Sequence, residues 1–118
     1  MSDRIVLTIP TEERFRAIAT LVLGGMGSRA DLPYERMDDF QLAVLSALEA
    51  SDVGAVTIEI DSSDDGILLA LGPVRDGSGT DEGLGLVLSR LVDEYSHERR
   101  DGSEWLSLRL AASTAASA

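Results

Sequence analysis

The sequence predicts an α/β (α+β) two-layer sandwich, a mostly antiparallel sheet of four or five strands with three helices on one face. Three observations lead there. The spacing of apolar residues switches between a period of two and a helical period in the order β-α-α-β-β-α-β-β. Three amphipathic helices are too few to cover both faces of such a sheet. The 118 residues, 44% of them hydrophobic, suit one compact core, and with only 4% aromatics that core must be mostly aliphatic.

The first strand is Arg4 to Ile9, where Ile5, Leu7 and Ile9 alternate with Val6 and Thr8 before Pro10 stops it. Thr11 stands where a helix N-cap is expected, with Glu12 and Glu13 in the first turn, and Phe15, Ile18, Ala19, Val22 and Met26 follow at helical spacing to a fraying end at Gly24-Gly25. A second helix is predicted from about Pro33 to Ala50, burying Met37, Phe40, Val44, Ala47 and Leu48. Val56, Ile58 and Ile60 then alternate along a strand, a turn follows at residues 62–66, and Ile67 to Leu71 reads as a central strand buried on both faces and ended by Gly72-Pro73. Residues 75–82 form a polar loop. The third helix carries Leu84, Val87, Leu88, Leu91, Val92 and Tyr95, and the last two strands turn at Asp101-Gly102, a type I′ signal. Leu106, Leu108 and Leu110 share one face; Trp105, in the opposite phase, is either an exposed interface anchor or packed under a loop. Residues 1–110 form one domain and the small-residue tail 111–118 is expected to be disordered.

Charge and composition exclude several functions. With 10 basic against 21 acidic residues and a net charge of −11, nucleic acid and anionic membranes are disfavoured, and a basic protein surface is the better partner. The chain has no cysteine and one histidine, His97, so neither a disulfide framework nor a zinc or iron site is expected. Met1-Ser2-Asp3-Arg4 lacks the features of a secretory signal, and no apolar run approaches the roughly 20 residues that cross a bilayer, so a soluble cytoplasmic protein is expected.

Asp61, Ser63, Asp65 and Gly66 imitate the start of a calcium loop, but Gly72 stands where that loop needs its bidentate glutamate, so a hairpin turn is the better reading. His97 sits in a charged strand and Asp38-Asp39 at a helix start; neither forms a catalytic constellation. Gly83-Leu84-Gly85-Leu86 is the one motif suited to a ligand. Glycines at a helix N-terminus let backbone N–H groups approach a phosphate, although they also serve tight packing.

The order of elements, together with Leu42-Ala43-Val44, Gly83-Leu84-Gly85-Leu86 with its trailing Leu91-Val92-Asp93-Glu94, and Asp101-Gly102-Ser103, resembles the serine-kinase anti-sigma factors. These belong to the Bergerat-fold, histidine kinase-like (GHKL) ATPase superfamily. The resemblance implies an ATP-Mg site, dimerisation, a sigma factor as cargo and a STAS-type anti-anti-sigma partner. The departures are specific. Alignment on Leu42-Ala43-Val44 puts Ser46 at the family's catalytic glutamate and Ala50 at its magnesium-binding asparagine. Pro73 stands where an aspartate reads adenine, and Asp76-Gly77-Ser78-Gly79 lies three residues late. Asp76, Asp81 and Glu82 flank Gly83 against one cation, Arg75.

The expectation is therefore a regulatory protein–protein interaction module, a homodimer or a binder of a sigma factor or STAS protein. It has no catalytic residue, no metal ligand and no cofactor, and Gly83 and Gly85 are vestigial as cofactor-binding residues. The alternatives are a divergent ATP-dependent serine kinase using Glu49 and acting on a STAS-type partner, and a site for another small ligand beneath the Gly83 loop.

Overall fold

The computed structural model describes residues 3–29 and 32–111. Five strands, β1 (Asp3–Pro10), β2 (Ala55–Ser63), β3 (Gly66–Val74), β4 (Glu94–Arg100) and β5 (Ser103–Ala111), form one sheet in the order β1-β2-β3-β5-β4, with every neighbouring pair antiparallel. Helices α1 (Arg16–Arg29), α2 (Tyr34–Leu48) and α3 (Glu82–Leu91) complete the fold. The predicted architecture holds, and the sheet is antiparallel throughout.

The period-two pattern determines which side is buried. Ile58 and Ile60 of β2, Ile67, Leu69 and Leu71 of β3, and Leu106, Leu108 and Leu110 of β5 point one way and are almost wholly buried. Phe40, Ala43, Val44, Ala47 and Leu48 of α2, with Ala19 and Leu23 of α1 and Leu88 of α3, complete that core. The Asp101-Gly102 turn has positive φ at both residues, as a type I′ turn requires.

Several boundaries differ from the sequence reading. Thr11 caps no helix: its N–H and hydroxyl both donate to the Gly54 carbonyl, and a 3-10 turn at Glu13–Phe15 precedes α1. Leu23 of α1 is buried alongside Ala19, whereas Ile18 is exposed, and α1 runs through Gly24-Gly25 to Arg29. Pro33 is the extended N-cap of α2, and that helix ends at Leu48, ahead of Ala50. Helix α3 ends at Leu91 because Val92 is already extended, so Tyr95 belongs to β4. Gly72-Pro73, a cis peptide, does not end β3, which continues past an irregularity in its pairing to Val74. Ala111 is the last residue of β5 rather than the first of the tail; residues 112–118 lie outside the described residues.

The expectation that β3 is buried on both faces holds at Ala70, which is buried on the face away from the helices, and fails at Leu68. Helices cover only one face, and Leu68 on the other is half exposed. That open face is covered locally by side chains. Trp105 is half-buried with its indole laid against Gly72, and the Arg100 guanidinium stacks over the ring at 4.3 Å from the centroid. Arg100 spans the sheet from β4 to β2, where it bonds Glu59 at 2.8 Å; Glu98 holds its other nitrogen. Trp105 is thus neither a bare anchor nor under a loop.

A Cβ on Gly72 would lie 2.4 Å from Trp105 Cδ2, so Gly72→Ala must displace the indole. The expected loss is about 1–3 kcal/mol, with a changed Trp105 emission. A Cβ on Gly25 meets nothing within 4 Å, so Gly25→Ala, in a helix, should be neutral or stabilise by up to about 1 kcal/mol. Thermal melts of both variants check the pair.

Candidate functional site

The site lies where β3 hands over to α3. Beyond Val74 the chain must reverse, and Gly77 does so in a left-handed conformation (φ +93°) before a 3-10 turn at Ser78–Thr80. Asp81 then caps α3: its backbone is extended and its carboxylate accepts the Leu84 N–H at 2.8 Å. Ser78, Thr80 and Asp81 N–H groups bond to the carbonyls three residues behind them, of Arg75, Gly77 and Ser78.

The Gly77 and Gly79 N–H groups point inward, and both donate to Glu104 of β5, Gly77 to Oε1 at 2.9 Å and Gly79 to Oε2. Glu104 is 6% exposed. The Gly77 amide foremost, then that of Gly79, holds its carboxyl below the usual glutamate range; burial opposes this, and the His97 and Arg99 charges add to it. Gly79 must be glycine here, since a Cβ would fall 2.3 Å from His97 Cγ and 2.6 Å from Glu104 Oε2.

The opposite wall is the C-terminal end of α2. The Arg75 N–H donates to the Ala50 carbonyl at 2.8 Å, and its guanidinium donates to the carbonyls of Glu49 (3.0 Å) and Ser51 (3.3 Å). A cation on the last helical carbonyls is well placed against the helix dipole. The Asp52 N–H reaches the Pro73 carbonyl at 3.0 Å, beside a bridge between Ser51 and Val74. Between these walls is a depression of about 270 Å³, lined by Ala50, Arg75, Gly77, Ser78, Asp81 and Leu84 among others.

Ala50 therefore reaches the depression, while Ser46, a turn earlier on α2, is half-buried and does not line it. Glu49 is exposed, and its carbonyl is engaged by Arg75. Gly83 is exposed in the first turn of α3. Gly85 is buried where α3 crosses β4, and a Cβ there would meet the Tyr95 hydroxyl at 2.5 Å. Pro73 offers a carbonyl and no side-chain acceptor. The cations are engaged as well: Arg75 on α2 carbonyls, and Arg99 on Asp76 at 3.3 Å and the Gly102 carbonyl.

The sequence reading missed Glu104. Its signal was available, because Glu104 is in phase with Leu106, Leu108 and Leu110, so its carboxylate had to lie on the buried side of β5 and find donors there. Two glycine N–H groups in the preceding loop are those donors.

Chemically, the loop and helix start form an anion-binding nest of backbone amides whose anions are the chain's own. Glu104 fills it from β5 and Asp81 from the helix cap. Asp76 and Glu82 add further negative charge around it, which would oppose a phosphate. Among the described residues no helix is long and apolar enough to cross a membrane.

No protein-family model matches the chain. It is 33% identical over 67 residues to the serine-protein kinase RsbW of Listeria monocytogenes serotype 4a, a match covering 50% of this chain and 43% of that protein. The serine-protein kinase RsbW of Listeria innocua serovar 6a is 31% identical over the same length, again covering 43% of the relative. The chain thus spans under half the length of the curated relatives it matches.

Because the folded-state pKa of Glu104 lies below its unfolded value, its carboxylate contributes stability that is fully present above the ordinary glutamate range. That contribution is lost as pH falls through the folded pKa. Glu104→Gln removes the charge-assisted bonds, so at neutral pH it should cost about 1–3 kcal/mol. The gap between wild type and variant should close on acidification below about pH 4. Urea unfolding at several pH values measures it.

Proposed function

We propose that the chain is a regulatory interaction module of the anti-sigma type, built on the histidine kinase-like fold, that works without binding or hydrolysing ATP. Its partner is another protein, a sigma factor or a STAS-type regulator, with self-association as part of the same behaviour. The observation that carries this reading is the Glu104 carboxylate seated on the Gly77 and Gly79 amides. The backbone donors best suited to a phosphate already hold an anion tethered to the same chain, at no cost in translational entropy.

Three side-chain positions support the same reading. Ser46 and Ala50 offer neither a general base nor a carboxamide, and Pro73 has no acceptor for an adenine amino group. The similarity to RsbW supports the anti-sigma part of the reading. The name of those relatives, serine-protein kinase, favours a second reading. In it the chain is a divergent kinase that phosphorylates a serine of its partner, with Glu49, exposed at the end of α2, as the base.

The two readings separate on nucleotide dependence. A ligand present at a hundred times its dissociation constant raises stability by about 2.7 kcal/mol, a shift of very roughly 8–15 °C for a domain of this size. The module should melt at the same temperature with and without millimolar Mg-ATP, and should bind a sigma factor or STAS protein equally in both conditions. A magnesium-dependent rise in melting temperature, or phosphate transfer to a partner serine, would establish the kinase instead.

A further inference from the structure

We propose that the outer edge of β4, with the groove between β4 and α3, is a docking site for an extended, basic segment of a partner protein. The segment pairs with β4 as an added strand and places an arginine or lysine side chain beside Tyr95. This rests on the interaction reading above, and gives the partner a surface and a charge; its test is separate from the nucleotide test.

β4 is an outermost strand of the sheet, so the backbone groups along its far side meet no neighbouring strand among the described residues. Its exposure is nearly continuous, with only Tyr95 and Arg100 half-buried. Opposed residues of an antiparallel pair point to the same face. Tyr95, His97 and Arg99 lie opposite Leu108, Leu106 and Glu104, all buried, and therefore belong to the helix side. Two glycines make room for this row. The Tyr95 hydroxyl lies against Gly85 of α3 and the His97 ring against Gly79 of the preceding loop. Beside the row is an open depression of about 380 Å³, in which Tyr95 faces Leu86 and Ser89 of α3, with Asp81 and Glu82 where that helix begins. Leu86 is 58% exposed.

Unmet backbone groups select a strand as occupant, and pockets for its alternate side chains select its sequence. A residue of the added strand set opposite Tyr95 points to the helix side, and so into the depression. Its surroundings there are aromatic and acidic. Glu82 makes no ion pair among the described residues, and Asp81 uses one carboxylate oxygen on the Leu84 N–H. A guanidinium or ammonium meets these carboxylates and the Tyr95 ring, while its methylenes cover Leu86. On the other face of β4 the charges are matched within the chain, Glu94 with Arg109 at 2.9 Å and Glu98 with Arg100 at 3.3 Å. Arg99 stands at the far end of the helix-side row, so the basic residue belongs at the Tyr95 end. Charge on an edge strand resists indiscriminate pairing; here it makes the pairing selective. A net charge of −11 steers the same kind of partner.

The probe is a short peptide of alternating threonine and valine with one central arginine. Its companions carry glutamine or glutamate at that position, or N-methyl groups on alternate amides. Heteronuclear magnetic resonance on the labelled full chain follows each titration to about 1 mM peptide, which reads weak association. The arginine peptide should shift the amides of residues 81–89 and 94–100 and leave those of residues 3–10 unmoved. The glutamine peptide should bind about two- to fivefold more weakly, the size of one exposed ion pair, and added salt should narrow that difference. The N-methylated peptide should not bind. Glu82→Lys should turn the preference towards the glutamate peptide. If that variant does not fold, Ser89→Lys, also exposed and in the depression, carries the same expectation. No shift with the arginine peptide overturns the proposal, as do shifts confined to other strands or equal binding of the glutamate or N-methylated peptide. None of these outcomes involves nucleotide, so the docking site and the ATP-independent reading can fail separately.

Discussion

Two backbone N–H groups, those of Gly77 and Gly79, converge on one buried carboxylate, and the local structure around the candidate site depends on that convergence. Glu104 belongs to β5 and the glycines to the connection between β3 and α3, so the bonds tie a loop to the sheet across 25 and 27 residues of chain. A left-handed Gly77 turns its amide inward, and a Gly79 without a side chain lets His97 and Glu104 lie against the backbone. Once the loop is fixed, Asp81 stands where its side chain can cap α3 and Arg75 where its guanidinium can close α2. The same arrangement that ties the connection down engages the Gly77, Gly79 and Leu84 N–H groups with carboxylates of the chain itself.

The bare face of the sheet presents a second constraint. A two-layer fold leaves one side of its strands without helices, and this chain, short of aromatics, has a single tryptophan for that side. The indole of Trp105 rests on the glycine that gives it room, and Arg100 covers its upper face while bonding to Glu59 and Glu98. The planar guanidinium both stacks and hydrogen-bonds, which a lysine at that position could not do. Glu59 also receives Arg4 from β1 at 3.7 Å, so ion pairs link β1, β2 and β4 over the open face.

The sheet was legible from sequence because alternation of Ile58, Ile60, Leu106, Leu108 and Leu110 leaves one choice of buried face. The hairpin was legible because Asp101-Gly102 has one favourable geometry. Helix limits were less so. Thr11 has a capping side chain, yet tertiary bonding to Gly54 takes it elsewhere; Tyr95 keeps helical spacing from Leu91 and Leu88 but obeys the pairing of β4 with β5. At the candidate site, the identities of Ser46, Ala50 and Pro73, none with a carboxylate or carboxamide, could be read directly. What occupies the amides instead could not be read by looking for motifs, since it depends on a carboxylate more than twenty residues downstream. Only the phase of Glu104 within β5 carried that information.

The most direct measurement is the amide chemical shift of Gly77 and Gly79, followed by heteronuclear magnetic resonance through an acid titration. If Glu104 holds both N–H groups, the two resonances move together, with one midpoint below the ordinary glutamate range, and do not move when Mg-ATP is added at neutral pH. Separate midpoints at the ordinary value, or a nucleotide-induced shift of either amide, would contradict the account.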